Sequence, residues 1–333
     1  MLIVRKDKGI ALVTVMLIVA LATVVATQML GRVQLQMQRA TNIAFNQQAY
    51  WYAMGVEAFT KRVLFTSFED EPNKTSLEQI WAQGETTYPV EFGEITGEIF
   101  DLQACFNINA LKSTGGGASA GSPPAPKSPA QQAFKKLLTS LEINDVSEFD
   151  AEYLADALTD WLDSDNSIAS SGGAEDNDYA AKEFPYLAAN NYIASVAELR
   201  LVEHFTVPII NAIKPYICVI PNESLYQLNI NTISSEQAVI LQAVLDLSSL
   251  DEAEDILSSR DEAGFSDIQE FYDLPEVKKL NLKTDQKKHL VVDSDYFQLK
   301  ASTSFNDSFF NLTSVMKIEN NNINVISRKI GRD

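Results

Sequence analysis

Residues 10–30 read IALVTVMLIVALATVVATQML, a run of 21 residues without a charge. As a helix rising 1.5 Å per residue it would be about 31 Å long, close to the thickness of a bilayer's hydrocarbon core. Ahead of it, MLIVRKDKG carries Arg5, Lys6 and Lys8 against Asp7. That excess of positive charge predicts a cytoplasmic N-terminus, with the rest of the chain translocated. A cleaved secretory signal would have a shorter apolar stretch, of about 7–15 residues, closed by a small-x-small site. Here the run continues instead. From Arg32 to Phe65 there is no proline and one glycine, Gly55. Val33, Met37, Ala40 and Ala44, then Tyr52, Val56, Phe59 and Val63, recur at helical spacing. The span is therefore expected to extend as one long helix into a soluble domain.

Charge and composition exclude several functions. Lys+Arg number 26 against 45 Asp+Glu, a net charge of −19, which repels a phosphate backbone and argues against nucleic-acid binding. Two cysteines cannot build a Cys-rich zinc site, and two histidines leave little room for histidine catalysis. At 46% hydrophobic residues the 333-residue chain is globular, long enough for two folded units.

Beyond the helix, residues 66–106 read as loop and short strands, with alternation in 88–92 and 98–102. TGGGASAGSPPAPKSPA at 114–130 cannot build a core and reads as a flexible loop. Residues 131–215 carry a helical pattern, with Phe134, Leu137, Leu138 and Leu141 on one face. The tail from Tyr296 to Lys329 is strand-like. One echo stands out: Phe106-Asn-Ile-Asn-Ala-Leu111 is repeated as Leu228-Asn-Ile-Asn-Thr-Ile233. Each Asn-x-Asn step precedes a helical pattern, where asparagine serves as an N-cap. The second copy leads into Ser234–Leu247 and Glu254–Arg260, similar to helix-hairpin-helix modules. Its flanking acids (Asp246, Asp251, Glu252, Glu254, Asp255, Asp261 and Glu262) favour helix packing over phosphate binding.

The strongest chemical cluster is acidic. Asp160, Asp163, Asp165, Glu175, Asp176 and Asp178 fall within nineteen positions, around Gly172-Gly173. Carboxylates at this density suit a hard dication such as Ca²⁺, and no histidine or cysteine nearby favours zinc or copper. An EF-hand is excluded: with Asp163 at its first position, Ile168 and Ala174 stand where glycine and glutamate are required. A solvated acidic loop without metal is the alternative. Cys105 and Cys218 each precede an Asn-x-Asn segment and form either a disulfide or two buried thiols.

The basic leader ending in Gly9, the long apolar helix and the amphipathic extension resemble the prepilins. That resemblance implies cleavage after Gly9 by a prepilin peptidase and methylation of Ile10 as the new N-terminus. The family's fifth mature residue is normally glutamate; here it is Thr14. Its absence, with the Asp-Trp-x-Asp-x-Asp run, Gly-Gly-Ala-Glu and the Asn-x-Asn units, resembles the K-class minor pseudopilins of type II secretion (general secretion pathway protein K). The resemblance implies an α+β fold: a pilin-like long N-terminal α-helix packed on an antiparallel sheet, with a large inserted α-helical domain. The sheet is expected from about 88–106, about 216–230 and the C-terminal strands. Residues 1–9 are then the leader and 10–30 the membrane part of the helix. Residues 31–106 hold its periplasmic part and the first strands. Residues 107–215 form the inserted domain with its acidic metal loop, and 216–333 hold a strand, the hairpin unit and the last strands.

The implied function is a minor pseudopilin, not an enzyme, in the inner membrane with its bulk in the periplasm. It would cap the pseudopilus tip and help initiate assembly for export of folded proteins. Implied ligands are two calcium ions on Asp160, Asp163, Asp165 and Glu175, with Asp176 and Asp178 weaker. Implied partners are the smaller minor pseudopilins of the I and J classes, through them the major pseudopilin, and the prepilin peptidase, with no nucleic acid. Two other readings stay open on the residues alone: a membrane-anchored periplasmic metal-dependent hydrolase and a membrane-tethered DNA receptor. The first lacks a nucleophile–base pair near its carboxylates and the second carries the wrong charge.

Overall fold

The computed structural model describes residues 10–331 apart from 113–125, 169, 262, 307, 320 and 321. The leader with Gly9, most of the Gly/Ala/Ser/Pro run, Glu262 and the turn residues Asp307, Asn320 and Asn321 lie outside the described residues. Helix α1 (Ile10–Asp70) is 61 residues long, five residues beyond the expected end near Phe65. It is the one described helix long and apolar enough to cross a membrane. Its upper half presents apolar side chains outward on every side, as a lipid-facing segment does. Burial begins only at Ala49 and then recurs at Ala53, Glu57, Thr60, Leu64 and Ser67, a single stripe along one face.

That stripe meets a sheet. A 3₁₀ turn (Ile80–Ala82) leads into strand β1 (Thr86–Val90) and β2 (Gly93–Asp101). The tight connection needs Gly93, because a Cβ there would run into the carbonyl oxygen of Ser304.

Two helical units follow. The first runs through β3 (Phe106–Asn107), a 3₁₀ turn (Ile108–Leu111), α2 (Pro129–Ser140), α3 (Glu148–Leu162), α4 (Asp176–Ala180), a 3₁₀ turn (Val196–Leu201), α5 (Val207–Ile213) and β4 (Ile217–Cys218). The second runs through β5 (Leu228–Asn229), a 3₁₀ turn (Ser235–Gln237), α6 (Ala238–Leu245), α7 (Leu250–Ser258), α8 (Ile268–Asp273), α9 (Pro275–Lys279), α10 (Thr284–Lys287) and β6 (Leu290–Val291). The chain then returns as β7 (Tyr296–Phe305), β8 (Ser308–Glu319) and β9 (Asn322–Ile330).

The main sheet is antiparallel, in the order β1-β2-β7-β8-β9. Its central pairing, Ile95↔Thr303 to Asp101↔Phe297, closes across the whole helical region. Residues 217–218 and 228–229, expected in this sheet, are not part of it. They form parallel two-residue ladders instead, β3 with β4 and β5 with β6. Each ladder ties the start of a helical unit to its end.

Two main cores result. Ala53, Leu64, Trp81, Phe297, Leu299, Leu312 and Met316 hold α1 to the sheet. Within that interface Arg328 donates to both oxygens of buried Glu57, at 2.7 and 2.8 Å, and Ser314 Oγ donates at 2.7 Å. Burial pushes this carboxyl up, yet the bonds from Arg328 and Ser314 outweigh it and hold Glu57 below its ordinary value. The second core runs unbroken from Phe106, Phe134 and Leu158 to Ile230, Ile240 and Phe271. The 215/216 boundary read from sequence therefore passes through one core rather than between two.

The two units share a set of matching hydrogen bonds. Asn107 Oδ1 accepts from Asn109 N at 3.2 Å, and Asn229 Oδ1 accepts from Asn231 N at 2.9 Å. Asn109 pairs with the backbone of Ile193, accepting at 2.9 Å and donating at 3.0 Å; Asn231 pairs with Phe265 at 2.8 and 2.9 Å. Glu198 then accepts from Ala194 N, as Glu270 accepts from Ser266 N. Ser128 with Gln131 and Ser234 with Gln237 form matching capping boxes. The units differ between their third helical segment and the Ile193 or Phe265 step. The second has only residues 259–264 there, closed by Gly264 at φ 72° against Asn231. The first has residues 163–192, which include the acidic loop.

Candidate functional site

The acidic loop grows from the end of α3. Ser147 caps this helix with Asp150, and Ala151, Leu154, Ala155, Leu158 and Leu162 bury its core face. From Asp156 to Leu162 every residue is buried, so the carboxylates of Asp156 and Asp160 lie in the interior. Asp156 is neutralised by Lys127 Nζ at 2.9 Å and accepts from Ser170 Oγ. Asp160 is wholly buried beneath Gly173, where a Cβ would collide with its carboxylate. The glycine pair thus lets the loop fold back over α3.

Asp163 Oδ1 accepts from Asp165 N at 3.3 Å, and Asp165 Oδ1 from Ser167 N at 2.9 Å. These turns aim their carboxylates at Glu175, and one oxygen from each of Asp163, Asp165 and Glu175 lies within 4.8 Å of the others. Glu175 is 3% exposed, yet neither of its carboxylate oxygens has a hydrogen-bond partner. Burial, then the charges of Asp160, Asp163, Asp176 and Asp165, push its carboxyl up to about 8. Burial pushes Asp163 up to about 6, against the backbone N–H bond from Asp165.

A bare, buried glutamate among converging carboxylates fits a hard dication with oxygen ligands, and no softer donor is in the group. Asp176 and Asp178 take other work. Asp176 accepts from Asn166 Nδ2 at 2.6 Å and Ala188 N at 3.0 Å, and Asp178 accepts from Glu175 N at 3.0 Å. They shape the loop and add negative charge beside Glu175. Sequence spacing does not reveal Lys112, whose ammonium donates to Leu162 O at 2.7 Å, one residue before Asp163.

A second cluster joins the two cores. Cys105 and Cys218 form a disulfide, 113 residues apart in sequence, beside the β3–β4 ladder. Near it Asp101, at the end of β2, is buried and accepts four bonds. Gln103 N donates at 2.7 Å, Ser294 Oγ and Thr232 Oγ1 at 2.6 Å each, and Asn229 Nδ2 at 3.4 Å. Sheet, second helical unit and the return strand thus meet on one carboxylate. Nothing in the spacing of the sequence marks it. At the far end of the molecule, Thr14 Oγ1 donates to the carbonyls of Ile10 and Ala11 at 3.1 and 2.9 Å, inside its own helix.

Comparison with known proteins gives one answer throughout. Two family models described as type II secretion system (T2SS), protein K, match residues 104–222 and 228–293, which are the two helical units. The type II secretion system protein K of Aeromonas hydrophila is 36% identical, over 98% of this chain and 97% of its own length. That of Klebsiella pneumoniae is 33% identical over 98% and 97%. A chain in the crystal structure of the GspK-GspI-GspJ complex from the enterotoxigenic Escherichia coli type 2 secretion system superposes with a TM-score of 0.75. It shares 30% identity and covers 86% of this chain and 97% of that one. By sequence along its whole length and by fold, the chain belongs to the type II secretion system protein K family.

Proposed function

We propose that this protein is the minor pseudopilin that caps the tip of a type II secretion pseudopilus and helps to start its assembly. The observation that carries the reading is α1: an uncharged stretch long enough for lipid, continued without a break into a stripe packed on a pilin-like sheet. The likeness to a chain of the GspK-GspI-GspJ complex supports partners of the I and J classes. A prepilin peptidase cutting after Gly9 would leave Ile10 as a methylated N-terminus, with the anchor in the inner membrane and the bulk in the periplasm. The carboxylates then serve structure and not catalysis. Asp160, Asp163, Asp165 and Glu175 would hold calcium, whose charge cancels the repulsion that raises Glu175.

The test is co-expression of the full chain with the two smaller minor pseudopilins and purification in detergent. A stoichiometric three-component complex is expected, with one copy of this chain per filament. Labelling that finds copies distributed along the filament shaft would overturn the tip assignment.

A further inference from the structure

The Asn-x-Asn turn of the first helical unit ends at its C-cap, Lys112. Its ammonium is held in two ways. It donates to Leu162 O, the last carbonyl of α3, at 2.7 Å, and it lies 4.4 Å from the ring centroid of Tyr192. A cation is favoured at both places, at a helix C-terminus by the macrodipole and over an aromatic ring by its quadrupole. The carboxylate next in sequence to Leu162 is Asp163; burial pulls the Lys112 ammonium below its ordinary value, and the charge of Asp163 works against that pull. The charges that act most strongly on Glu175 are carboxylates, those of Asp160, Asp163, Asp176 and Asp165. The positive charge is therefore held at the end of α3, one residue before Asp163, whose carboxylate converges with the bare oxygens of Glu175.

We propose that Lys112 is the built-in counter-ion of the acidic pocket: a tethered positive charge that steadies Asp163 when no dication is present and weakens the binding of one. The proposal rests on the calcium reading given above. A like charge near a bound dication repels it, and even at the dielectric of bulk water a separation of about 6 Å changes affinity by about tenfold. The same charge relieves the mutual repulsion of the carboxylates in the metal-free fold. Lys112 thus acts in opposite directions on the two states.

The experiment uses the full chain in detergent, with calcium titrated by calorimetry and melting followed in EDTA. Lys112→Met keeps the aliphatic stem against Tyr192 and removes the charge; Lys112→Arg keeps the charge. Lys112→Met is expected to bind calcium about tenfold more tightly and to melt lower in EDTA. Lys112→Arg should stay near wild type in both. A Met variant that folds only with calcium present supports the proposal in its extreme form. Wild-type affinity together with wild-type melting in the Met variant overturns it, as does an Arg variant that shifts as far as the Met variant. If the wild type itself takes up no calcium, the calcium reading falls. The EDTA melting of the Met variant then decides the counter-ion role alone, and an unchanged temperature ends it.

Discussion

Asp101 shows how one side chain can hold a junction. Burial raises its carboxyl to about 6, although four donors pull the other way. An unfolded aspartate releases its proton near pH ~3.9. Between those values the folded chain binds more protons than the unfolded one, so this group's contribution to stability falls as pH rises from about 4 to about 6. Asp101→Asn removes that slope. It also turns an amide N–H toward Ser294, Thr232 and Asn229, at a cost of about 1–3 kcal/mol. Melting curves should show the wild type's advantage widest near pH 4.5 and narrower by pH 7. Parallel curves for the two proteins across that range would exclude an ionising role for Asp101. Glu175 is the opposite kind of residue: it is buried, and neither of its carboxylate oxygens has a hydrogen-bond partner.

At the scale of elements, the disulfide and the paired ladders close the first helical unit at its base. Replacing both Cys105 and Cys218 by serine frees a crosslink between positions 113 residues apart. Unfolding in urea should show a loss of about 2–5 kcal/mol. Little change in the urea midpoint would show that the β3–β4 ladder closes the unit without it. Helix α1 was legible in the sequence from its uncharged run and helical spacing, but the stripe read there, Tyr52, Val56, Phe59 and Val63, is half-buried or exposed, and burial falls one residue on, at Ala53, Glu57, Thr60 and Leu64. The Asn-x-Asn echo was legible because both asparagines in each copy are needed, one to cap the turn and one to bridge to a distant strand-like backbone. The sheet was only half legible. Two-residue strands such as Ile217–Cys218 have no alternation to read, and the β2–β7 pairing depends on closure across both helical units. In the acidic loop, composition indicated the chemistry. It could not separate the converging carboxylates from Asp176 and Asp178, which sit in the first turn of α4 and accept from the backbone amides of Ala188 and Glu175.

For the whole molecule, the question is how one end of α1 meets its neighbours. Thr14 completes its hydrogen bonds within its own helix, so it asks nothing of another chain inside the membrane. A glutamate there would need a neighbour's amine to be tolerated in lipid. Thr14→Glu should therefore impair secretion and change pseudopilus length, whereas Thr14→Val should leave both near wild type. Wild-type secretion and length in the glutamate variant would remove Thr14 from the argument for the tip. The single stripe from Ala49 to Ser67 also makes α1 a ruler. With residues 10–30 in the hydrocarbon core, Ala49 stands about 28 Å beyond it, at 1.5 Å per residue and with no proline to bend the path. The height at which the sheet is carried above the bilayer is thus written in the number of residues between Leu30 and Ala49. Adding four residues there would lift the whole sheet-bearing body by about 6 Å and turn it by about 40° about the helix axis.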